Sequence, residues 1–419
     1  MGFVRSSNRC SVFDSRTEGS NEAYDRSWRR WLGFCTQAGQ GDDPFLDRLS
    51  TVGREVVVRA YITCLRTAQW KTGTGQIEGK RKKPMVASTV REATGHLATA
   101  FRNNLKPSPL HIAGSAQLLP SARSLFKAFE NADPAPQRQR AITPKLLRGM
   151  YTLAGLAFDV THDTPPAIAA DLAIVGLFFA MRSCENTTTP QPGRTKTVDM
   201  RGVKFLDASK REIPQNHPGL AFAVYVTLLF ADQKNGDKNA RRTQKRTDDP
   251  VMCPVRRAAS LIERIRRLVP GFSGETTINT YAQQSATGLV TLQLASSYLR
   301  AQLRYTCATL GGKDAFGFDR TDIGTKSIRS GAAMGLFLAN HSTERIMLMG
   351  RWLSQAFLAY IRPQVIEWTN NMSRDMIRHD SYTDASGLDM ADPEIARVPQ
   401  RRFNGPDNSL IIPTFHLDH

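Results

Sequence analysis

From about Asn21 to Phe129 the apolar residues recur at helical spacing. Tyr24, Trp28, Trp31, Leu32 and Cys35 form one stripe, and Val56, Val57, Ala60, Tyr61, Cys64 and Leu65 a second. Val90, Ala93, Leu97, Ala100 and Phe101 form a third, and Ala122, Leu125, Phe126 and Phe129 a fourth. Residues three and four apart share one face of a helix, so this pattern predicts a small all-helical bundle. KTGTGQIEGKRKKP (71–84) breaks the period with glycines and cations and reads as a basic loop. ADPAPQRQRAI (132–142) is Pro-interrupted, basic and aperiodic, the composition of a linker. Thr143-Pro144 then reads as an N-cap with proline in the first helical position. Helices follow through Ala180, with a loop at 161–167. Val203 to Leu206 and Ala221 to Phe230 are rich in β-branched and aromatic residues and read as strands of a small sheet. The charged stretch 231–249 comes next, and its run ARRTQKR (240–246) reads as a solvated loop. Helical pattern returns over Val255–Leu268, 291–310, 326–340, 342–350 and 354–361. The expected layout is a disordered N-terminus (1–20), a helical domain (21–130), a basic linker (131–141), a larger mainly helical domain with a small sheet (142–383) and a flexible C-terminal tail (384–419).

Charge changes this picture from a fold into a partner. The 419 residues carry a formal net charge of +18. The first 141 hold 22 Lys and Arg against 12 Asp and Glu, so the excess is spread over the chain rather than kept in one tail. A bound anionic polymer accounts for that distribution, and nucleic acid is the leading candidate. Composition alone leaves an anionic membrane surface open. No stretch approaches twenty consecutive apolar residues, so no transmembrane helix is expected. The opening MGFVRSSNRCSVFDSR has no apolar core and does not read as a secretory signal, although MGFVRSS fits a loose myristoylation pattern. The six cysteines are scattered without CxxC spacing, which argues against a zinc site or a disulfide framework and for a reducing compartment. Phosphate-loop, HExxH and EF-hand patterns are missing, so the expected chemistry uses neither nucleotide nor metal and no cofactor.

Four short patterns in the second domain supply candidate chemistry. AMRSCE places Arg182 after an apolar helix, with Glu185 three residues on. QKN places Lys234 directly after a strand. KSIRSGAA sets Lys326 and Arg329 one helical turn apart. GRWLSQAFLAYIRP holds Trp352 and Tyr360 eight residues apart. Together they suit a phosphodiester. Two guanidiniums can bind non-bridging oxygens with paired hydrogen bonds as charge gathers there. Each such preorganised donor typically supplies about 3 kcal/mol. Lys326 can add a donor from the same helix face, Trp352 a non-titrating indole N–H, and Lys234 a proton for a leaving oxygen. Tyr360 offers a phenol nucleophile that needs activation by cationic neighbours. Taken singly each is ordinary: an Arg before a Glu is commonly a structural ion pair, Lys-x-x-Arg a solvated face, a Trp and Tyr core residues, and a loop Lys plain surface. For the whole set, the plain alternative is a basic helical protein that binds a polyanion.

In combination and order these boxes resemble those of the tyrosine recombinases, the phage-integrase-type site-specific recombinases. The likeness runs from about Ala141 to Tyr382, and GRWxSxAFLAYIRP is most like the recombinases of eukaryotic mobile elements, the Crypton and DIRS-like groups. The resemblance implies a mainly α fold with a small antiparallel β-sheet, its catalytic domain preceded by a helical SAM-like core-binding domain. It implies that Arg182 and Arg329 bind the scissile phosphate, Glu185 braces Arg182, Lys326 stands where His is usual, and Trp352 takes the His/Trp position. Lys234 would be the general acid, and Tyr360 would attack to form a 3′-phosphotyrosyl link, so that strands are rejoined without metal or ATP. Double-stranded DNA is the implied partner, with self-association into a tetramer on two DNA sites and no membrane. Four features depart from the family: the Trp-to-Tyr interval is one residue shorter than in many members, Lys326 replaces the commoner His, 187–197 looks inserted, and the tail after Tyr382 lacks a clear apolar helix. The basic residues Lys80, Arg81, Lys82, Lys83, Arg138, Arg140, Arg241 and Arg242 are further candidate DNA contacts. GKRKKP (79–84) fits a short nuclear-import signal, so the expected location is the nucleus in a eukaryotic host and otherwise the cytoplasm or nucleoid. A non-catalytic DNA-binding protein on the same fold and a type IB-like topoisomerase are the competing functions.

Overall fold

A computed structural model describes residues 18–67, 84–134, 139–155, 163–190, 195–233, 238–286, 288–354 and 358. They fall into two compact units that separate after Pro134.

The first unit is helical: α1 (Glu18–Gln37), α2 (Thr51–Thr67), α3 (Ala87–Asn103) and α4 (Pro120–Ala132). Its core gathers Trp31, Tyr61, Leu65, Val90, Leu97, Phe101 and Phe126. The Trp31 ring meets Tyr61 edge-on at 5.0 Å, and its indole N–H donates to the Pro44 carbonyl at 2.7 Å, so the largest buried side chain also has its polar atom satisfied. In α2 the buried face is Val58, Tyr61, Ile62 and Leu65, while Val56 is 58% exposed. The predicted stripe was therefore rotated. A run of three valines fits several helical phases, and packing against α3 and α4 selected one. The α3 N-terminus has no side-chain cap of its own. Asp133 replaces it, accepting the Ala87 N–H at 2.6 Å and pairing with Arg66.

The second unit holds the sheet. Helix α5 (Pro144–Leu153) starts as its sequence predicts, with Thr143 Oγ1 accepting the Leu146 N–H at 3.3 Å. Helix α6 (Pro165–Phe178) is apolar on all sides and buried, as a central helix must be. Its one carboxylate, Asp171, pairs with Arg257 (3.1 Å) and Arg264 (2.9 Å) of α8 (Pro254–Leu268) and accepts from Ser260 (2.9 Å). A short helix α7 (Ser183–Asn186) leads to a four-stranded antiparallel sheet of order β2-β1-β3-β4, made of β1 (Val203–Leu206), β2 (Glu212–Ile213), β3 (Tyr225–Asp232) and β4 (Lys238–Lys245). The fold is mainly α with a small antiparallel sheet.

Three expectations are corrected. β3 begins at Tyr225, because Leu220–Phe222 forms a 3-10 turn. The basic run 240–246 is not a loop: through Lys245 it belongs to β4, with Thr227 opposite Thr243 and Leu229 opposite Arg241. Main-chain pairing at a sheet edge needs no apolar alternation, and edge strands commonly carry charge. The segment read as helix from 291 instead closes a hairpin of β5 (Thr280–Ser285) and β6 (Gly288–Gln293), turning at Gly288 with φ 119°. Helix α9 starts only at Ser296 (Ser296–Thr309). Helices α10 (Gly312–Phe316), α11 (Lys326–Leu338) and α12 (Thr343–Gly350) follow. At Gly331 a Cβ would stand 2.5 Å from the Ile142 carbonyl, so glycine lets α11 lie against the strand-like entry to α5.

Candidate active site

The site is organised by the turn that ends α6. Ala180 sits in the left-handed region at φ 45°, which costs an L-residue about 1 kcal/mol. Its carbonyl accepts from Arg329 Nη1 at 2.7 Å and from Arg351 Nη2 at 3.4 Å, so two charge-assisted hydrogen bonds offset that strain. Two residues later Arg182 opens α7. Glu185, on the first turn of that helix, is fully buried and folds back. It accepts the Arg182 backbone N–H at 2.7 Å and Arg182 Nη1 at 2.9 Å. The Arg182 side chain keeps 22% of its surface exposed, so its guanidinium is braced on one side and open on the other.

The same carboxylate takes a second guanidinium. Arg351 Nη2 donates to Glu185 Oε2 at 2.6 Å. Arg351 follows α12 in a left-handed cap at φ 56°, donates from Nη1 to the Phe179 carbonyl at 2.9 Å, and lies 3.7 Å from the centroid of the Phe230 ring. Burial pushes its pKa down to about 10, against the upward pull of Glu185, so it stays charged at neutral pH. Gln233, just past β3, closes the cluster. Its Oε1 accepts from Arg182 Nη1 and from Arg351 Nε, both at 3.2 Å.

Arg329 comes from the first turn of α11. It is buried and also donates from Nη2 to the Gly350 carbonyl. Its guanidinium carbon lies 4.4 Å from the centroid of the Trp352 ring, a cation–π stack. Trp352 is half-buried against the small cluster that includes Ala141, Ala333, Met334 and Ile346. Lys326 is exposed at the start of α11. A helix N-terminus disfavours cations and favours anions, so two cations in the first turn suit a bound anion better than they suit the helix.

Arg182, Glu185, Arg329 and Trp352 are thus joined in one network, with Lys326 one turn from Arg329. Lys234 and Tyr360 lie outside the described residues, as do Lys80, Arg81, Lys82, Lys83 and Arg138. Arg140 is half-buried, its backbone N–H donating to the Asp322 carbonyl at 2.8 Å. Arg241 is exposed on β4, whereas Arg242 turns inward and donates from Nε to the Leu348 carbonyl at 2.7 Å. Sequence reasoning missed Gln233 and Arg351. The only signal for Arg351 is an arginine between Gly350 and Trp352, where a helix end commonly takes glycine. Gln233 gives none beyond its place next to Lys234. Among the described residues no group of three or more His, Cys, Asp or Glu could hold a metal ion, and no helix is long and apolar enough to cross a membrane.

No protein-family profile matches the chain, and no curated protein matches it. Three solved structures with a similar path of chain are an integrase of the Tn1549 transposon in complex with circular intermediate DNA, the XerH site-specific recombinase bound to its difH substrate, and a lambda integrase dimer bound to a COC′ core site. The first is 11% identical, covers 66% of this chain and 76% of its own, and has a TM-score of 0.37. The second is 13% identical over 73% of this chain and 66% of its own, with a TM-score of 0.39. The third is 14% identical over 75% of this chain and 80% of its own, with a TM-score of 0.35. Likeness at this level carries no argument about activity, which rests on the site.

Proposed function

We propose that the chain is a DNA strand-transfer enzyme of the tyrosine recombinase type, encoded by a mobile element. One observation carries this reading: Arg182 and Arg329, far apart in sequence, belong to a single hydrogen-bonded network through Glu185, Arg351 and the Ala180 carbonyl. Guanidiniums fixed in this way need little reorganisation when charge builds on the oxygens of a phosphodiester. In the proposed reaction the Tyr360 oxygen bonds to phosphorus and gives its proton to solvent water. The bond to the 5′-oxygen breaks, and that oxygen takes a proton from Lys234. The 3′-phosphotyrosyl link is then attacked by the 5′-hydroxyl of another strand, which restores a phosphodiester and frees the phenol. Phosphoester bonds are exchanged one for one, so no ATP is consumed. The substrate is double-stranded DNA, held by a tetramer on two sites, with the helical domain 21–130 embracing the duplex.

Supercoiled plasmid provides the test. Incubation with the protein followed by denaturation and phenol extraction should leave DNA covalently attached to protein, in the presence of EDTA as in its absence. Tyr360→Phe should abolish the adduct and leave DNA affinity nearly unchanged. An adduct formed by Tyr360→Phe would show the nucleophile to be another residue. Binding without adduct by the unaltered chain would mark a non-catalytic DNA-binding protein, and relaxation without recombinant products a topoisomerase.

A further inference from the structure

Gln233 is fully buried, and its Nε2 has no hydrogen-bond partner. Both neighbours of its Oε1 are guanidinium donors, which settles the orientation of the amide: the oxygen must face Arg182 and Arg351, and the NH2 must face away. An unpaired buried donor weakens folding, and leucine, similar in volume, would remove it. A buried amide that leaves its own donor unpaired while accepting from the partly open guanidinium of Arg182 calls for a functional reason.

The geometry points to Gln233 as a positioning residue: its carbonyl oxygen fixes the Arg182 guanidinium at the angle set by Glu185 and couples it to Arg351. Arg182 Nη1 donates to both the Glu185 carboxylate (2.9 Å) and Gln233 (3.2 Å). With two acceptors on one nitrogen the guanidinium plane cannot swing about its contact with Glu185. Its remaining N–H groups therefore keep one direction towards the exposed side.

This inference rests on the recombinase reading, and the experiment separates the two. Covalent adduct formation on supercoiled plasmid is timed for the unaltered chain, Gln233→Leu and Gln233→Glu, alongside the Tm of each. Gln233→Leu removes the unpaired donor but also the acceptor of Arg351 Nε, so Tm should change little, while adduct formation slows about 10²-fold, the scale of a small misplacement of a catalytic group. Gln233→Glu keeps an acceptor oxygen for both guanidiniums and should remain within about threefold of the unaltered rate. Unchanged adduct formation by Gln233→Leu overturns the inference. So does a fall in both Tm and rate in both variants, which would mean a packing role alone. If the unaltered chain forms no adduct, it is the recombinase reading that fails.

Discussion

At the scale of single residues, charge and burial oppose each other around Glu185. The carboxylate is fully buried between two guanidiniums, one of which, Arg351, is itself withdrawn from water. Removing one member of a buried ion pair leaves the other's desolvation uncompensated, and that typically costs 3–5 kcal/mol. Glu185→Gln should therefore lower unfolding free energy by about 3 kcal/mol in chemical denaturation. Arg182→Lys should behave differently. A lysine cannot reach Glu185 and Gln233 and still present a planar fork to a phosphate. Adduct formation should drop about 10²–10³-fold in timed assays, with Tm nearly unchanged because the Arg182 side chain is partly exposed. The RxxE spacing made Arg182 and Glu185 legible from the sequence. Arg351 was not, because an arginine with no exposed side-chain surface breaks the usual rule that this residue lies outside.

Among the elements, α12 and β4 teach the most. Helix α12 ends so that Gly350 passes beneath the Trp352 ring, and an added Cβ would fall inside that ring. Gly350→Ala should push Trp352 away from Arg329. Adduct formation should slow by at least about tenfold in timed assays. Strand β4 shows exposed cations on the sheet edge at Lys238, Arg241 and Lys245. Replacing these three with alanine should leave Tm close to the original. Measured DNA affinity should fall, and the slope of log K against log salt should flatten by about one for each lost phosphate contact. Sequence patterning located β1 and β3 but not β4, β5 and β6. The first two alternate or are strongly apolar. β4 and β5 are held by main-chain pairing to a neighbour and leave little hydrophobic trace, while the apolar residues of β6, Leu289, Val290 and Leu292, run on without a break towards helix α9.

For the whole molecule, two separate hydrophobic cores lie on either side of Pro134. Charge is not confined to one of them, and the total of +18 argues for a long anionic ligand touched by many cations. Apparent DNA affinity should fall steeply between about 50 and 200 mM salt, by about 10³-fold or more if six or more phosphates are neutralised. A flat response would count against a ligand that engages both units.

Periodicity was sufficient to tell helical bundle from mixed domain, because burying one face of a helix imposes a 3.6-residue repeat that any reader can find. Short-range spacing likewise exposed the Arg182–Glu185 pair and set Lys326 one helical turn from Arg329, since a helical turn fixes which positions are neighbours. What chain order does not contain is how the C-terminal end of α6, the exit of β3, the start of α11 and the end of α12 meet at one point. That convergence came from packing between distant elements. It placed Gln233 and Arg351 beside Arg182, turned Arg242 inward while Arg241 stayed exposed, and set the phase of α2. Each of these depends on contacts with residues remote in sequence, where no local pattern exists to be read.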